Sequence, residues 1–223
     1  MVKNLSFAVA LVFAVCTLLT GCGGLEKPQG AADNTIKVWA EMQGIGKSSQ
    51  DIAAVTGVPK ADIDKIYNTT KETLKDAFKT SYALNDENAD VLVDYWLDTL
   101  VADEMITTKL KQASDTNPVV ELTLTPIDAA GIQEIIRSDA DLLNFMQTLE
   151  QLKADPAELQ KALANDELQN IILQVVETKI VDQLTFKDPV TMDVKCQIVQ
   201  GEDGKTHWGP ADPIAVANFL KQQ

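Results

Sequence analysis

The sequence predicts a helix-rich α+β fold, with several amphipathic helices packed on a small curved antiparallel sheet that ends in a C-terminal β-hairpin and a short helix. Three observations predict it. Apolar residues recur at helical spacing through the middle of the chain, as in Ile63, Ile66, Tyr67, Leu74, Ala77 and Phe78. The period drops to two at residues 120–124 and again at 190–198, where apolar and polar side chains alternate. Glu202-Asp203-Gly204 then offers the positive-φ positions of a tight turn, just before residues 205–208 return as a short strand.

Taken in order, residues 35–43 carry Ile36, Val38, Trp39 and Met42, which fit a helix and a strand equally well. Ser48 or Ser49 is placed to cap a short helix that Gly57 stops, and Pro59 opens the next. That helix runs to about residue 84. A second, 86–113, is expected to be largely buried through Val91, Leu92, Tyr95, Trp96, Leu100, Ile106 and Leu110. Asn117-Pro118 breaks it, and Pro126 ends the first strand. Helical spacing returns over 127–153, with a break at Ser138-Asp139 where Ser138 is expected to cap. Asp155-Pro156 starts another helix, which re-caps near Asn165-Asp166. Residues 213–221 close the chain as a helix.

The N-terminus has a different character. Lys3 precedes a run, residues 5–19, that is apolar apart from Ser6 and Thr17. Such a run fits the apolar region of an export signal and is short of the roughly 20 residues that span a bilayer. It ends in Leu19-Thr20-Gly21-Cys22. This stretch resembles the lipobox of bacterial lipoproteins, in which a thiol is flanked by small residues that admit lipid and peptidase to the backbone. The resemblance implies that Cys22 takes a diacylglycerol and becomes the mature N-terminus after cleavage behind Gly21. Two acyl chains anchor stably where one is marginal.

Three segments follow from this reading: a signal peptide at 1–21, the lipidated Cys22 with a flexible tether at 22–34, and a single globular domain at 35–223. The tether rests on GGLEKPQGAADN, rich in glycine and poor in large apolar residues. The C-terminal order of strand, turn, the Trp-bearing strand THWGPAD and a short helix resembles exported lipoproteins of Gram-positive and related bacteria. Those carry domains of unknown function with a cystatin- or NTF2-like core, and the likeness in element order covers most of 35–223.

Charge narrows the partners. The chain holds 19 basic and 33 acidic side chains, and loss of Lys3 with the signal leaves 18 against 33. A surface this acidic argues against nucleic acid and against a polybasic grip on the membrane. Of the three cysteines, Cys16 leaves with the signal and Cys22 carries lipid. Only Cys196 remains, so no disulfide forms within the mature chain.

No motif for catalysis emerges. GIGKSS at 44–49 lacks the spacing of a phosphate loop, because Glu41 stands where its first glycine belongs. His207 is the sole histidine, too few for a catalytic zinc set with Cys196. In a hairpin turning at 202–204, Cys196 falls opposite about residue 210 and not His207, so the two do not form a nucleophilic pair. Cys196 is expected in the core and His207 on the hairpin surface. The acidic groups Asp86-Glu87, Asp103-Glu104, Asp139/Asp141 and Glu202-Asp203 lack the alternation of a calcium loop.

The expectation is therefore a non-enzymatic lipoprotein without cofactor or metal, held on the outer side of a membrane by its N-terminal lipid. Its domain binds an unknown protein or small molecule or supports the envelope. A substrate-capture lipoprotein serving a transporter is the first alternative, and a carboxylate-dependent hydrolase the second. Trp39, Trp96 and Trp208 are candidates for an apolar groove, with Trp96 better placed in the core.

Overall fold

The computed structural model describes residues 26–221, and the stretch Leu19-Thr20-Gly21-Cys22 lies outside them. The order of elements is α1 (Ala32–Gly44), α2 (Ile52–Thr56), α3 (Lys60–Tyr82), α4 (Asp86–Ala102), β1 (Ile106–Gln112), β2 (Val119–Leu124), α5 (Ala129–Ser138), α6 (Ala140–Ala154), α7 (Pro156–Leu163), α8 (Asp166–Val176), β3 (Val190–Gln200), β4 (Thr206–Pro210) and α9 (Pro213–Leu220). A π-helical turn, Glu177–Val181, continues α8. The fold is α+β: helices dominate, and the four strands form one antiparallel sheet in the order β1-β2-β3-β4.

The described chain divides into two compact units. One comprises residues 71–99 and 127–187, the other 26–70, 100–126 and 188–221. The first consists of helices with their loops and one isolated bridge between Ile127 and Phe186, and most of it enters the chain between β2 and β3.

In the helical unit, side chains cap the helices that follow one another in the chain. Asp139 caps α6, Asp155 caps α7 with Pro156 in the first turn, and Asn165 caps α8. Its core holds Phe78, Tyr82, Leu92, Trp96, Ile172 and Val176, with Phe78 and Trp96 edge to face at 5.8 Å. Gln169 is wholly buried and fully used. Its oxygen accepts from Asn85 N at 2.6 Å, and its Nε2 donates to Ala83 O and Ala162 O. Those bonds fix the turn between α3 and α4, where Ala83 takes a left-handed φ of 55°.

In the second unit, β2 turns Val120, Leu122 and Leu124 inward, and β3 adds Val194 and Cys196. Helix α1 lies against this apolar face, touching β1, β2 and β4, with α9 beside it. The opposite face is polar. There Glu121 stands across from Lys109 on β1 and Asp193 on β3, and Lys111 Nζ donates to Asp193 at 2.7 Å. A bulge between Leu110 and Gln112 and the two lysines blunt β1, the edge of the sheet.

Several expectations are corrected. The helix expected over 86–113 stops at Ala102, and residues 106–112 form the strand β1. Glu104 at φ 49° ends the helix, and Ile106-Thr107-Thr108 is a β-branched run that suits a strand. Ile106 and Leu110 satisfy helical spacing and strand alternation alike, which is why the pattern misled. Val91, Tyr95 and Leu110, expected inside, are exposed by 46%, 36% and 41%. The cap of α2 is Asp51 in place of Ser48 or Ser49, and the cap of α6 is Asp139 in place of Ser138. Residues 35–43 resolve as helix, and α1 already begins at Ala32.

Candidate functional site

In the second unit an open cleft of about 790 Å³ lies between the segment 26–30 with the start of α1, the end of α2, and the β3–β4 hairpin. Local chemistry builds each wall. Gly57, at φ 69°, stops α2 and lets the chain turn beneath the hairpin. The hairpin turn closes through Gly204, at φ 75°, where Gly204 N donates to Gly201 O. On the other side, Trp208 Nε1 donates to Gly30 O at 3.0 Å, which ties the N-terminal segment to β4.

His207 anchors the hairpin wall. It is 7% exposed, which corrects its expected place on the surface. Its Nδ1 lies 3.1 Å from Val55 O and its Nε2 3.1 Å from Asp203 Oδ1, so both ring nitrogens face acceptors. The Lys205 backbone N–H, and after it the His207 ring, hold the Asp203 carboxyl below its ordinary range. Across the cleft, Asn34 and Gln50 exchange two amide hydrogen bonds, at 3.0 and 2.9 Å. Lys27 is engaged with Asp115. The side chains of Glu26, Gln29, Gln200 and Lys205 line the cleft and make no hydrogen bond or ion pair with another described residue.

The residues singled out in the sequence do not converge. Cys196 pairs in register with Pro210, while His207 pairs with Val199, so cysteine and histidine are kept apart as expected. Cys196 is 1% exposed, and burial, with a smaller contribution from Asp33, pushes its thiol up to about 12. The GIGKSS segment closes on itself. Ser48 Oγ donates to the buried Glu41 carboxylate, whose pKa burial raises, and Gly46 at φ 84° packs on Thr70. A carboxylate is thus bonded to that loop through Ser48. Trp39 and Trp208 are buried, at 5% and 3% exposure, and Trp96 with them at 3%, so none lines an exposed groove.

One member of each acidic group pairs within the fold, Asp203 through Lys205 N and His207. Asp86 meets Lys79, Glu104 lies 3.7 Å from Lys37, and Asp139 combines its cap with Lys179 at 3.1 Å. Among the described residues no three His, Cys, Asp or Glu side chains group as a metal site, and no helix is long and apolar enough to cross a membrane. Sequence reasoning missed the cleft, because its walls come from positions about 170 residues apart and share no motif.

No family model matches the chain. No curated protein matches it either. Among solved structures it is similar to a candidate lipoprotein (ycdA) from Bacillus subtilis, with 18% identity and a TM-score of 0.46 over 86% of this chain. The chain spans about 55% of the length of that protein, and at this level the likeness carries no argument about function.

Proposed function

We propose that this chain is a bacterial lipoprotein, held on the extracytoplasmic side of a membrane by lipid on Cys22, whose folded part is a non-enzymatic binding module. One observation carries the reading: the Leu19-Thr20-Gly21-Cys22 stretch directly behind an apolar run of signal-peptide length. The cleft supports the binding role. Its wall begins at Glu26, four residues after Cys22, so a lipid on Cys22 would keep the cleft edge within about 14 Å of the membrane surface. The lie of α1 across one face of the sheet supports the finer likeness to cystatin- or NTF2-like cores. The buried Cys196, its thiol pushed up to about 12, supports a structural role over a catalytic one.

Metabolic labelling with a fatty acid tests the anchor. The wild-type chain takes label and is processed, while Cys22→Ser gives unlabelled precursor. Label persisting on the Cys22→Ser chain would overturn the reading.

A further inference from the structure

We propose that the cleft of the second unit binds a short peptide with both ends free. The inference rests on the binding-module reading and names its ligand class. The cleft presents groups of both charges together with amides. Glu26 offers a carboxylate and Lys205 an ammonium, while Gln29 and Gln200 offer carboxamides, and none of the four side chains makes a hydrogen bond or ion pair with another described residue, though the Lys205 charge also acts on Asp203. Carboxamides donate and accept at once, which is what a peptide bond requires of its recognising groups. Ammonium and carboxylate ends are met by opposite charges through charge-assisted hydrogen bonds.

Other ligand classes fit the walls less well. A purely anionic molecule would face Glu26, and a purely cationic one would face Lys27 and Lys205. An apolar or aromatic ligand finds only Ala54 and Val55 as apolar side chains of the lining, because the Trp208 ring is buried beside it. The volume, about 790 Å³, lies within the range of small-ligand sites.

His207 gives the cleft its own reporter, since it lines the wall and is the only histidine of the chain. The full chain is labelled at histidine with ¹⁵N and ¹³C, extracted from membranes in detergent micelles, and titrated with tri-alanine, N-acetyl-tri-alanine and tri-alanine amide. Tri-alanine is expected to shift the imidazole signals saturably, and blocking either end to weaken binding about tenfold, the worth of one charge-assisted hydrogen bond. Lys205→Met should weaken tri-alanine to the same degree and leave the C-terminal amide unaffected. Glu26→Gln should do the same for the N-acetyl form. No saturable shift with any of the three peptides would overturn the proposal, as would equal affinity for all three with both variants unchanged. Peptide binding by a chain whose Cys22 takes no fatty acid would keep the cleft assignment and remove the anchor; labelled chain without peptide binding would do the reverse.

Discussion

Gly57 and Gly201 touch backbone to backbone: a β-carbon built on either would stand 2.8 Å from the α-carbon of the other. The His207 ring closes over the same contact, 2.4 Å from the β-carbon position of Gly57, and Glu202 N donates to Gly57 O at 3.2 Å. This is how the β3–β4 hairpin docks on the end of α2 and forms one side of the cleft. Gly57→Ala combines a left-handed φ with a backbone clash and should cost about 2–4 kcal/mol. Gly201→Ala, with the clash alone, should cost about 1–3 kcal/mol. Gly204→Ala meets open space at φ 75° and should cost only about 1–2 kcal/mol of backbone strain. Denaturant unfolding of the three variants checks the order, and a neutral Gly57→Ala would refute the contact.

Gln169 makes a sharper prediction in the helical unit. Gln169→Leu keeps the volume but takes the partner from Asn85 N–H and Ala83 O beside a fully buried side chain, while Ala162 O keeps its bond from Asn165 N. The expected cost is about 2–4 kcal/mol. Ala83→Gly relieves the left-handed φ of 55° but removes a methyl that is 2% exposed and frees the unfolded chain, so it should change stability by less than about 1 kcal/mol. The contrast between the two variants is read by thermal unfolding.

The same residues show what the sequence makes legible. Caps and turns were readable because their physics is local: Asp155-Pro156, Asn165, Gly57 and Asp203-Gly204 each act within a few residues. The alternation of 190–198 indicates the inward side of Cys196, and the turn at 202–204 its register opposite Pro210. Strand β1 was not readable, since Ile106 and Leu110 suit either period and the left-handed Glu104 that separates helix from strand is not a glycine. The burial of His207 was equally hidden, because Val55 and Gly57 lie about 150 residues away in the chain. Gln169 carries no signal at all until the turn it serves is in place.

Acid should loosen the helical unit through an ion-pair ladder. Lys71, Lys75 and Lys79 at four-residue intervals on α3 meet Asp94, Asp90 and Asp86 on α4, with Lys75 Nζ to Asp90 at 2.9 Å. The Lys79 hydrogen bond holds Asp86 below its ordinary value of 3.8, and that of Lys75 does the same for Asp90. A carboxyl lowered in the fold contributes stability that is whole above its unfolded value and is lost as pH falls through the folded one. Stability should therefore decline below about pH 4, and Asp90→Asn should flatten that decline. Hydrogen exchange of α3 and α4 between about pH 6 and pH 3 reads it. An unchanged acid slope in Asp90→Asn would show that the ladder contributes nothing.

Cys196 should behave as a core residue. With 1% exposure and a thiol raised to about 12, it should resist a bulky thiol reagent at neutral pH in the native chain and react rapidly in denaturant. Equal rates would place it at the surface and reopen a reactive role.

Lipid on Cys22 is tested most directly by the intact mass of the chain extracted from membranes. The expected mass is that of a chain that starts at Cys22, 202 residues long, with a diacylglyceryl group on that residue. A mass corresponding to residues 1–223 without lipid, or to a chain cleaved elsewhere with a free Cys22 thiol, would contradict it.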